Sequence, residues 1–519
     1  MTLALILVPI VFAVVAGALK GAQARSAALL GLVITLGISL VPFFSLGENV
    51  YFGTLSFPWL PDLGISFRFG MDTPSALLVT LTAFLGLMSA AFSGTITRSE
   101  NLYYASLLAL VGTVIGAFLA LDMVLFYVFF EICLVPAYFL IGGWGGPNRV
   151  RAATKFFVYT VVGSLVMLVS IIYLYLKFGT FDVVAIQQAL VAEPLPLTSA
   201  VLVFAGFAIA FAVKTGLFPF HTWLPDAYAE APAPVTAFLS GAMAKLGTYG
   251  LFRFGIALLP GAAQACAPVL VALGVISILY GALVAAAQRD AKRVVAYSSI
   301  SHLGYVVAGL FALNSEGLSG AFVQQINHGI TSAALFLALG IVYARRGTTR
   351  LVALGGLWEQ MPFFGRFLLI FTLSSVALPL TNGFVGEFLI FLGIYKAFPM
   401  LGVLAAIGVV GSAIYMLVMF QKAMYGPVDR PENRRLHDLS MGEKVALAPF
   451  VLFIFLLGIL PAPVLKSFNP VIEATLNSLG APTVVPPPLV STPEAEPDAP
   501  VDGVTLTVAG EPVAGETKE

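Results

Sequence analysis

The sequence of 519 residues is poor in charged residues and in cysteine. Only 10% of its residues are charged, whereas a soluble domain carries about 25%, so the chain is not a water-soluble globule. The 26 basic and 26 acidic residues balance, which excludes nucleic-acid binding by a basic surface. The two cysteines, Cys133 and Cys266, lie in apolar runs, which excludes a disulfide scaffold and any cysteine-based metal or iron–sulfur site.

Apolar residues make up 59% of the chain, and its mean hydropathy is +0.98. A helix needs about 20 apolar residues to cross about 30 Å of hydrocarbon. We therefore predict an all-α polytopic membrane protein with about fourteen transmembrane helices. The stretches are 2–19, 26–46, 74–94, 102–121, 123–142, 156–176, 198–225, 232–259, 265–287, 294–313, 320–344, 362–398, 403–424 and 445–465.

The basic residues predict which loops face the cytoplasm, because lysine and arginine are retained on that side. We take the loop holding Lys20 and Arg25 as cytoplasmic and alternate the sides from there. Of the 26 basic residues, 17 then lie in cytoplasmic loops and five on the opposite side. This asymmetry predicts that both termini lie on the non-cytoplasmic side of the membrane.

Six titratable residues are predicted to lie inside six different apolar stretches. They are Glu131, Lys214, Lys245, His302, His328 and Glu387. A charge at the bilayer centre costs about 2.5–3.5 kcal/mol on insertion scales. A structural ion pair or a snorkelling side chain would account for one or two of them, and a lone histidine is usually a core residue. The full set is more typical of a row of groups that exchange protons.

Lysine suits such a relay because burial favours its neutral form, and a nearby carboxylate favours its charged form. Moving that carboxylate toward or away from the lysine would therefore favour its protonation or its deprotonation. The histidines lie in polar runs, AYSSISH for His302 and QQINH for His328, so both should face the bundle interior or a hydrated cavity. His221 is predicted at the tip of a broken helix, where it could cap the helix or take up protons.

Two of the stretches, 198–225 and 362–398, are long and interrupted. Gly216 and Pro219 interrupt the first, and Pro379 interrupts the second. Proline removes a backbone donor, and non-helical backbone at membrane depth is tolerated only inside protein or next to water. Each is the fourth stretch of a five-span unit, and five crossings reverse the unit that follows. We therefore predict two inverted five-helix repeats, each with a discontinuous helix, an arrangement that marks ion paths in transporters.

The predicted organisation has five parts. Residues 1–101 form an N-terminal three-helix segment, 102–260 the first five-helix repeat and 265–425 the second, inverted repeat. Residues 426–477 form a cytoplasmic loop and the last transmembrane helix. The rest, 478–519, is a predicted disordered tail, because its last 39 residues hold eight prolines and seven acidic residues against one lysine.

Five segments form a distinctive combination: FPFHTWLPDAYAEAPAPV, AKLGTYGLFRF, AYSSISHLGYV, INHGITSAALFLALG and GFVGEFLIF. From about residue 70 to 465 the chain resembles the antiporter-like membrane subunits of respiratory complex I. Within them it is most similar to the NuoM type, chain M of NADH-quinone oxidoreductase and equivalent to the mitochondrial fourth ND subunit. The glutamate of GFVGEF favours this type over the NuoL and NuoN types, which typically carry lysine there. Mrp antiporter subunits and membrane-bound hydrogenase subunits share much of the pattern.

The resemblance implies a proton-translocating membrane-arm subunit of an NADH- or ferredoxin-driven quinone oxidoreductase. Glu131 and Lys214 would be the coupled pair of the proton-uptake half-channel, and Lys245 would connect the two halves. Glu387 would be the terminal proton carrier that faces the exit side. His302 and His328 would continue the central axis between them.

One departure from the family is visible. The family commonly reads PDAHAEAP where this chain has Tyr228, so a proton shuttle at that position is in doubt, although His221 is retained. The acidic, proline-rich tail also falls outside the family core.

The resemblance also implies partners and a location. The partners are neighbouring antiporter-like and small membrane subunits, a peripheral arm with flavin and iron–sulfur centres, and protons and lipid. The location is the cell inner (plasma) membrane, with a thylakoid membrane as the alternative. No phosphate-binding glycine loop, cysteine cluster or haem pattern is present in the sequence, so we expect no cofactor or metal in this chain.

Two other functions compete with this one. An Mrp-type sodium–proton antiporter subunit or a membrane-bound hydrogenase subunit would share the same relay. An intramembrane hydrolase belongs to a different class, and the sequence holds neither an HExxH motif nor a serine elbow to support it.

Overall fold

The computed structural model describes residues 1–44 and 51–480, so residues 481–519 of the predicted tail lie outside the described residues. Helices dominate the described part, with one two-stranded hairpin as its only sheet, and the predicted all-α membrane fold is confirmed. The N-terminal segment contains α1 (Thr2–Ala18), α2 (Ala22–Leu40), strands β1 (Phe52–Leu60) and β2 (Ile65–Met71), and α3 (Thr73–Phe92).

The region predicted as the first five-helix repeat contains α4 to α12. Its helices are α4 (Glu100–Leu119), α5 (Met123–Ile132), α6 (Leu134–Trp144), α7 (Arg149–Phe178), α8 (Val183–Ala192), α9 (Leu197–Thr215), α10 (Leu224–Glu230), α11 (Ala233–Phe238) and α12 (Lys245–Gly250). The break predicted in 198–225 is observed, because α9 ends at Thr215 and regular helix resumes at Leu224. A second interruption, at Cys133 between α5 and α6, is not visible in the sequence pattern.

The region predicted as the second repeat and the C-terminal region complete the described chain. Their helices are α13 (Pro260–Ala287), α14 (Ala291–Phe311), α15 (Ser315–Arg346), α16 (Leu357–Gln360), α17 (Pro362–Ser375), α18 (Asn382–Ala397), α19 (Pro399–Met424), α20 (Met441–Ile459), α21 (Ala462–Ser467) and α22 (Asn469–Gly480). The predicted break in 362–398 falls between α17 and α18. Since α22 ends at Gly480, residues 478–480 are helical, and the predicted start of the tail at 478 is wrong by three residues.

Each of the fourteen apolar stretches contains helix over its described residues. Within the part of the chain that the structure describes, eleven helices are long and apolar enough to cross a membrane. The other three stretches are α1, with 17 residues, the divided pair α17 and α18, and the segmented stretch 232–259. The number of crossings and the inverted orientation of the two units stay predictions.

The stretch 232–259 is not a uniform α-helix. Two π-helical segments, Leu239–Met243 and Leu251–Ile256, flank the short helix α12, which begins at Lys245. A π turn uses i→i+5 hydrogen bonds, occurs mostly as a single wide turn inside an α-helix and is frequent at functional sites. The helix that carries Lys245 is therefore irregular on both sides of that lysine.

Two short antiparallel bridges hold equivalent places in the two units. One pairs Asp122 with Asp182, and the other pairs Asp290 with Arg350. In each unit the first partner precedes the second span and the other follows the third span. Asp122 and Asp290 also accept hydrogen bonds from backbone N–H groups at the starts of α5 and α14, which satisfies donors that a helix leaves free. The two regions predicted as repeats thus have the same bonding pattern at corresponding helix ends, while the repeats themselves stay a prediction.

The hairpin β1–β2 leads directly into a buried ion pair. Asp72 follows β2 and caps α3 by accepting from Ser75 N at 3.0 Å. Its carboxylate pairs with Arg253, which also donates to the Tyr51 hydroxyl at 2.7 Å. Both charged side chains are almost fully buried. This pair joins the hairpin and α3 to the last π turn of the stretch 232–259.

We expect the substitution Arg253→Met to destabilise the protein strongly. It leaves the Asp72 carboxylate buried without its partner, which typically costs about 3–5 kcal/mol. Asp72→Asn in the same chain should recover part of the loss, because asparagine still caps a helix and carries no charge. Thermal unfolding and the amount of assembled protein in the membrane measure the effect. A matched change at the exposed Lys177–Glu193 pair, Lys177→Met, should change neither; equal losses in both variants would contradict the assignment.

Candidate functional site

Lys214 lies in the last turn of α9, at the point where the predicted helix break begins. Gly216 ends the helix with φ of +77°, a left-handed conformation that glycine adopts without strain. A Cβ at this position would also lie 2.5 Å from Leu224. The partial negative charge at the C-terminal end of a helix favours a cation there. The break thus places a buried ammonium group, 1% exposed, inside the protein.

The contacts of Lys214 differ from the predicted pairing with Glu131. Its Nζ donates to Cys133 Sγ at 3.5 Å and lies 4.4 Å from the centre of the Phe130 ring. Within the described residues no basic nitrogen lies within 4.0 Å of the Glu131 carboxylate, and Glu131 Oε1 is buried without a hydrogen-bond partner. Lys214 contacts Phe130 and Cys133, which lie one residue before and two residues after Glu131. The two groups are neighbours that do not form an ion pair in this conformation.

A close backbone contact lies between Lys214 and Lys245. Gly247 packs against the end of α9, where an added Cβ would lie 2.2 Å from Thr215 Oγ1 and 2.7 Å from Phe211 O. Thr215 Oγ1 is itself buried without a hydrogen-bond partner. Glycine at position 247 therefore lets the two lysine-bearing helices approach at this point, a role that the sequence pattern does not reveal.

Lys245 is completely buried and has two hydrogen-bond partners. Its Nζ lies 2.7 Å from Ser240 O, in the first π segment, and 2.7 Å from His328 Nδ1 on α15. Lys245 is thus in direct contact with one of the two central histidines, His328, while its role in connecting the two halves stays a prediction. Because Ser240 O accepts a hydrogen bond, the site suits the protonated amine as well as the neutral one.

His302 and Glu387 form a second bonded pair. His302 Nδ1 lies 2.7 Å from Glu387 Oε1, which also accepts from Gln324 Nε2 at 2.9 Å. On its other side, His302 Nε2 lies 3.3 Å from Ser375 Oγ and 3.4 Å from the Tyr415 hydroxyl. The break between α17 and α18 brings Ser375 and Glu387 to opposite sides of the same histidine.

The two pairs meet at a small polar cavity. The rings of His302 and His328 are 5.7 Å apart between centroids. The cavity is lined by Ser298, His302, Gln324, Asn327, His328, Thr331, Ser332, Leu335, Ser374, Ser375, Gly383 and Glu387. Hydroxyl, amide, imidazole and carboxyl groups thus share one buried space in the middle of an apolar bundle.

Asn382 forms the hydrogen bonds that stabilise the break between α17 and α18, next to this cavity. Its Oδ1 accepts from Ser374 Oγ at 2.6 Å and from Gly383 N at 3.0 Å, and its backbone carbonyl accepts from Asn327 Nδ2 at 2.6 Å. These bonds satisfy backbone and side-chain groups that the helix break would leave unpaired. They hold the start of α18, and therefore Glu387, against α15.

His221 lies apart from these groups. It is buried after the break, stacked on Phe218 at 5.6 Å and edge-on to Tyr280 at 4.7 Å between ring centroids. Its Nδ1 has no hydrogen-bond partner. Tyr228, at the position where the family commonly has histidine, is buried against Trp223 and Phe336.

The structure therefore groups the predicted residues unevenly. Lys245, His328, His302 and Glu387 form one cluster, while Glu131 and Lys214 are neighbours on another pair of helices. Sequence reasoning missed Cys133, Ser240 and Ser375 as contacts of the titratable groups. Gln324 and Asn327 belong to the polar run QQINH, from which the sequence already predicted that His328 faces the interior.

Comparisons with known proteins agree with the architecture. Residues 120–414 match the family described as NADH:quinone oxidoreductase/Mrp antiporter, transmembrane. NADH-quinone oxidoreductase subunit M of Rickettsia prowazekii is 40% identical over 434 residues, which cover 83% of this chain and 88% of the relative.

Solved structures give the same picture. A chain of respiratory complex I from Thermus thermophilus with bound NADH has a TM-score of 0.85 at 34% identity, covering 93% of this chain and 100% of that one. A chain of the Mrp complex from a Dietzia species has a TM-score of 0.80 at 26% identity, covering 92% of this chain and 52% of that one. This chain belongs to the NADH:quinone oxidoreductase/Mrp antiporter family, as an antiporter-like subunit of the complex I subunit M type.

Proposed function

We propose that the chain is the proton-translocating membrane-arm subunit of a complex I-type NADH:quinone oxidoreductase, and that its buried glutamates, lysines and histidines carry the protons. The observation that carries this assignment is the cluster of Lys245, His328, His302 and Glu387. In it, four titratable side chains on four different helices form two hydrogen-bonded pairs, and three of the four line one polar cavity.

The residues of the cluster suit reversible proton transfer. A lysine, an imidazole and a carboxyl group can each exist with or without a proton, and contacts of 2.7 Å are short enough for direct transfer. Burial keeps their charges from being screened by solvent, so a change of charge on one group strongly affects its neighbour. A proton can therefore pass directly within each pair, and the two pairs adjoin at the rings of His302 and His328, 5.7 Å apart between centroids.

Glu131 and Lys214 would serve the uptake side. Lys214 contacts Cys133 and Phe130 in this conformation, so it lies beside Glu131 without bonding to it. A movement of Lys214 toward the Glu131 carboxylate would favour the charged amine, and a movement away would favour proton release. Redox energy would reach this pair from partner subunits, as a change in conformation or electric field.

An Mrp-type antiporter subunit is the second candidate, supported by the fold shared with the Mrp complex. The higher identity to the complex I chain, 34% against 26%, and the complete coverage of that chain favour the complex I assignment. The partners would then be the other membrane subunits and a peripheral arm with flavin and iron–sulfur centres, in the plasma membrane or a thylakoid membrane.

Purification in mild detergent through a tag on this chain tests the proposal. We expect flavin- and iron–sulfur-containing subunits to co-purify, and a deletion strain to lose quinone-reductase-coupled proton pumping while it keeps its sodium tolerance. Co-purification with only membrane subunits, together with a loss of sodium tolerance, would instead support the Mrp-type antiporter.

A further inference from the structure

The indole of Trp223 caps the end of α9 beside Lys214. The last four carbonyls of a helix have no partner within the helix, and the break after Thr215 leaves such carbonyls inside the protein. Trp223 directly precedes α10, and its Nε1 donates to Val213 O at 2.9 Å. It is 3% exposed and packs against Phe156 of α7 at 5.2 Å between ring centroids. The residue next to Lys214 is therefore bonded to the start of α10.

The other end of α10 is bonded to the turn between α6 and α7. Glu230, the last residue of α10, accepts from Gly146 N at 2.8 Å through its backbone carbonyl and from Asn148 N at 2.9 Å through its carboxylate. The carbonyl is free for this bond because Pro234, four residues on, has no N–H to donate. Two glycines let the turn come this close: a Cβ at Gly145 would lie 2.8 Å from Glu230 O, and one at Gly146 would lie 2.7 Å from Glu230 Oε2.

Between its two ends, α10 is bonded to two neighbouring helices. Lys155 of α7 donates to Thr222 O at 2.6 Å and to the Asp226 carboxylate at 2.8 Å. Lys292 of α14 donates to Ala229 O at 3.1 Å. Because these bonds are spread over its seven residues, we expect α10 to move as one body, so that a shift at one end is transmitted to the other.

With these bonds α10 completes a ring of contacts around the proposed uptake pair. From Lys214 the ring passes through Trp223, α10 and Glu230 to the α6–α7 turn, and then along α6 back to Cys133, which Lys214 contacts. Glu131 lies two residues before Cys133, in the last turn of α5. We propose that α10 is a strut that sets the separation between Lys214 and Glu131, with Trp223 and Glu230 as the positioning residues at its two ends. This inference rests on the proposed function, in which Lys214 moves toward and away from Glu131.

A strut has an effect that separate stabilising contacts do not have. Loss of the bond at either end lets the end of α9 shift relative to α5, so both losses should have the same result. The net free energy of a typical hydrogen bond corresponds to about a fivefold change in an equilibrium constant. Loss of one bond should therefore change the balance between the two positions of Lys214 by about that factor. Once one end is free, loss of the bond at the other end should add little.

Two variants each remove one bond of the strut. Trp223→Phe keeps an aromatic ring and loses the N–H donor, and Glu230→Leu loses the carboxylate that accepts from Asn148 N. Glu230→Gln is the conservative variant, because its side-chain oxygen can still accept that bond. Trp144→Phe is the matched control. Trp144, the last residue of α6, donates through its indole to Arg98 O at 2.6 Å, so the variant loses the same kind of bond outside the ring of contacts.

The experiment uses the assembled complex in inverted membrane vesicles. It measures protons translocated per electron and the redox-induced infrared band of the Glu131 carboxyl group, which is identified by its loss in Glu131→Gln. We expect Trp223→Phe and Glu230→Leu each to lower the proton-to-electron ratio and to change the balance of the band's two components, one for each position of Lys214, by about fivefold. The double variant should be no worse than either single one, although distant side chains without a shared partner normally have additive effects. Glu230→Gln should recover most of the loss, and Trp144→Phe should keep the ratio and the band of the unmodified protein.

Three results would overturn the inference: an unchanged ratio and band in Trp223→Phe, additive losses in the double variant, and an equal loss in Trp144→Phe. Should Trp223→Phe fail to assemble, the Glu230 variants decide, because equal behaviour of Glu230→Leu and Glu230→Gln would contradict the strut. Full pumping in Lys214→Ala would instead contradict the proposed function itself, so the two failures can be told apart.

Discussion

Replacement of Lys214 by alanine is expected to abolish proton translocation while the complex stays assembled and still reduces quinone. Lys214 has few stabilising contacts to lose, a hydrogen bond of 3.5 Å to Cys133 and a cation–π contact with Phe130. Its removal leaves Glu131, which can take up a proton and remain neutral. Proton uptake by inverted vesicles during NADH oxidation, normalised to electron transfer, measures the effect.

Two further variants test whether pumping needs a proton that Lys214 can release or only a positive charge at this position. Lys214→Arg keeps a positive charge, but a guanidinium group does not release its proton in proteins, so pumping should fail as in the alanine variant. Glu131→Ala should fail for the complementary reason, since Lys214 loses its carboxylate partner. Cys133→Ala is the control at the same site and should assemble normally. A normal proton-to-electron ratio in either Lys214 variant would remove this residue from the pathway.

Glu387→Gln is expected to block pumping with almost no change in structure. The glutamine side chain has the same shape, and its carbonyl oxygen can still accept the hydrogen bonds from His302 and Gln324. It cannot take up a proton under physiological conditions, so the chain of transfers ends before the exit side. Proton release and the infrared band of a protonated carboxyl group should both be lost.

Glu387→Lys is the informative companion of this variant. A lysine can also carry a proton, so we expect part of the pumping to return, with a different pH profile because the charged state now has the opposite sign. His302 would have to accept from the new ammonium group through its other tautomer, and Gln324 would have to turn its amide oxygen toward it, which limits the recovery. Full pumping by Glu387→Gln, rather than by the lysine variant, would show that the proton bypasses this position.

The hydrophobic pattern predicted the helices and both helix breaks because composition decides where a chain can stay in lipid. It also predicted that His302 and His328 lie in the interior, since a polar run cannot face hydrocarbon. It could not predict that Lys214 contacts Cys133 rather than Glu131, because that choice depends on side-chain geometry at the interruption between α5 and α6. The interruption falls at Cys133, three residues before Pro136, inside a stretch that the sequence predicted as continuous.

The hairpin and the π segments were missed for other reasons. Residues 52–71 hold apolar and aromatic side chains that are partly exposed, and Pro58 lies within β1, so the alternation expected of a half-buried strand is absent. The π segments lie in an unbroken apolar run, and an i→i+5 hydrogen bond leaves no mark in composition. The polar cluster of Gln324, Asn327 and Glu387 depends on packing between α15 and α18, which lie far apart in sequence.

The wide turns around Lys245 have a mechanical consequence. A π turn holds one residue more than an α turn, and each residue of an α-helix advances by about 100°. If such a turn migrates past a residue, that residue rotates about the helix axis by about this angle, while the helix on either side stays intact. The helix of Lys245 has a π turn on each side. Migration of either turn past Lys245 would rotate its amine from one neighbour toward another, while the helix keeps its place in the bundle.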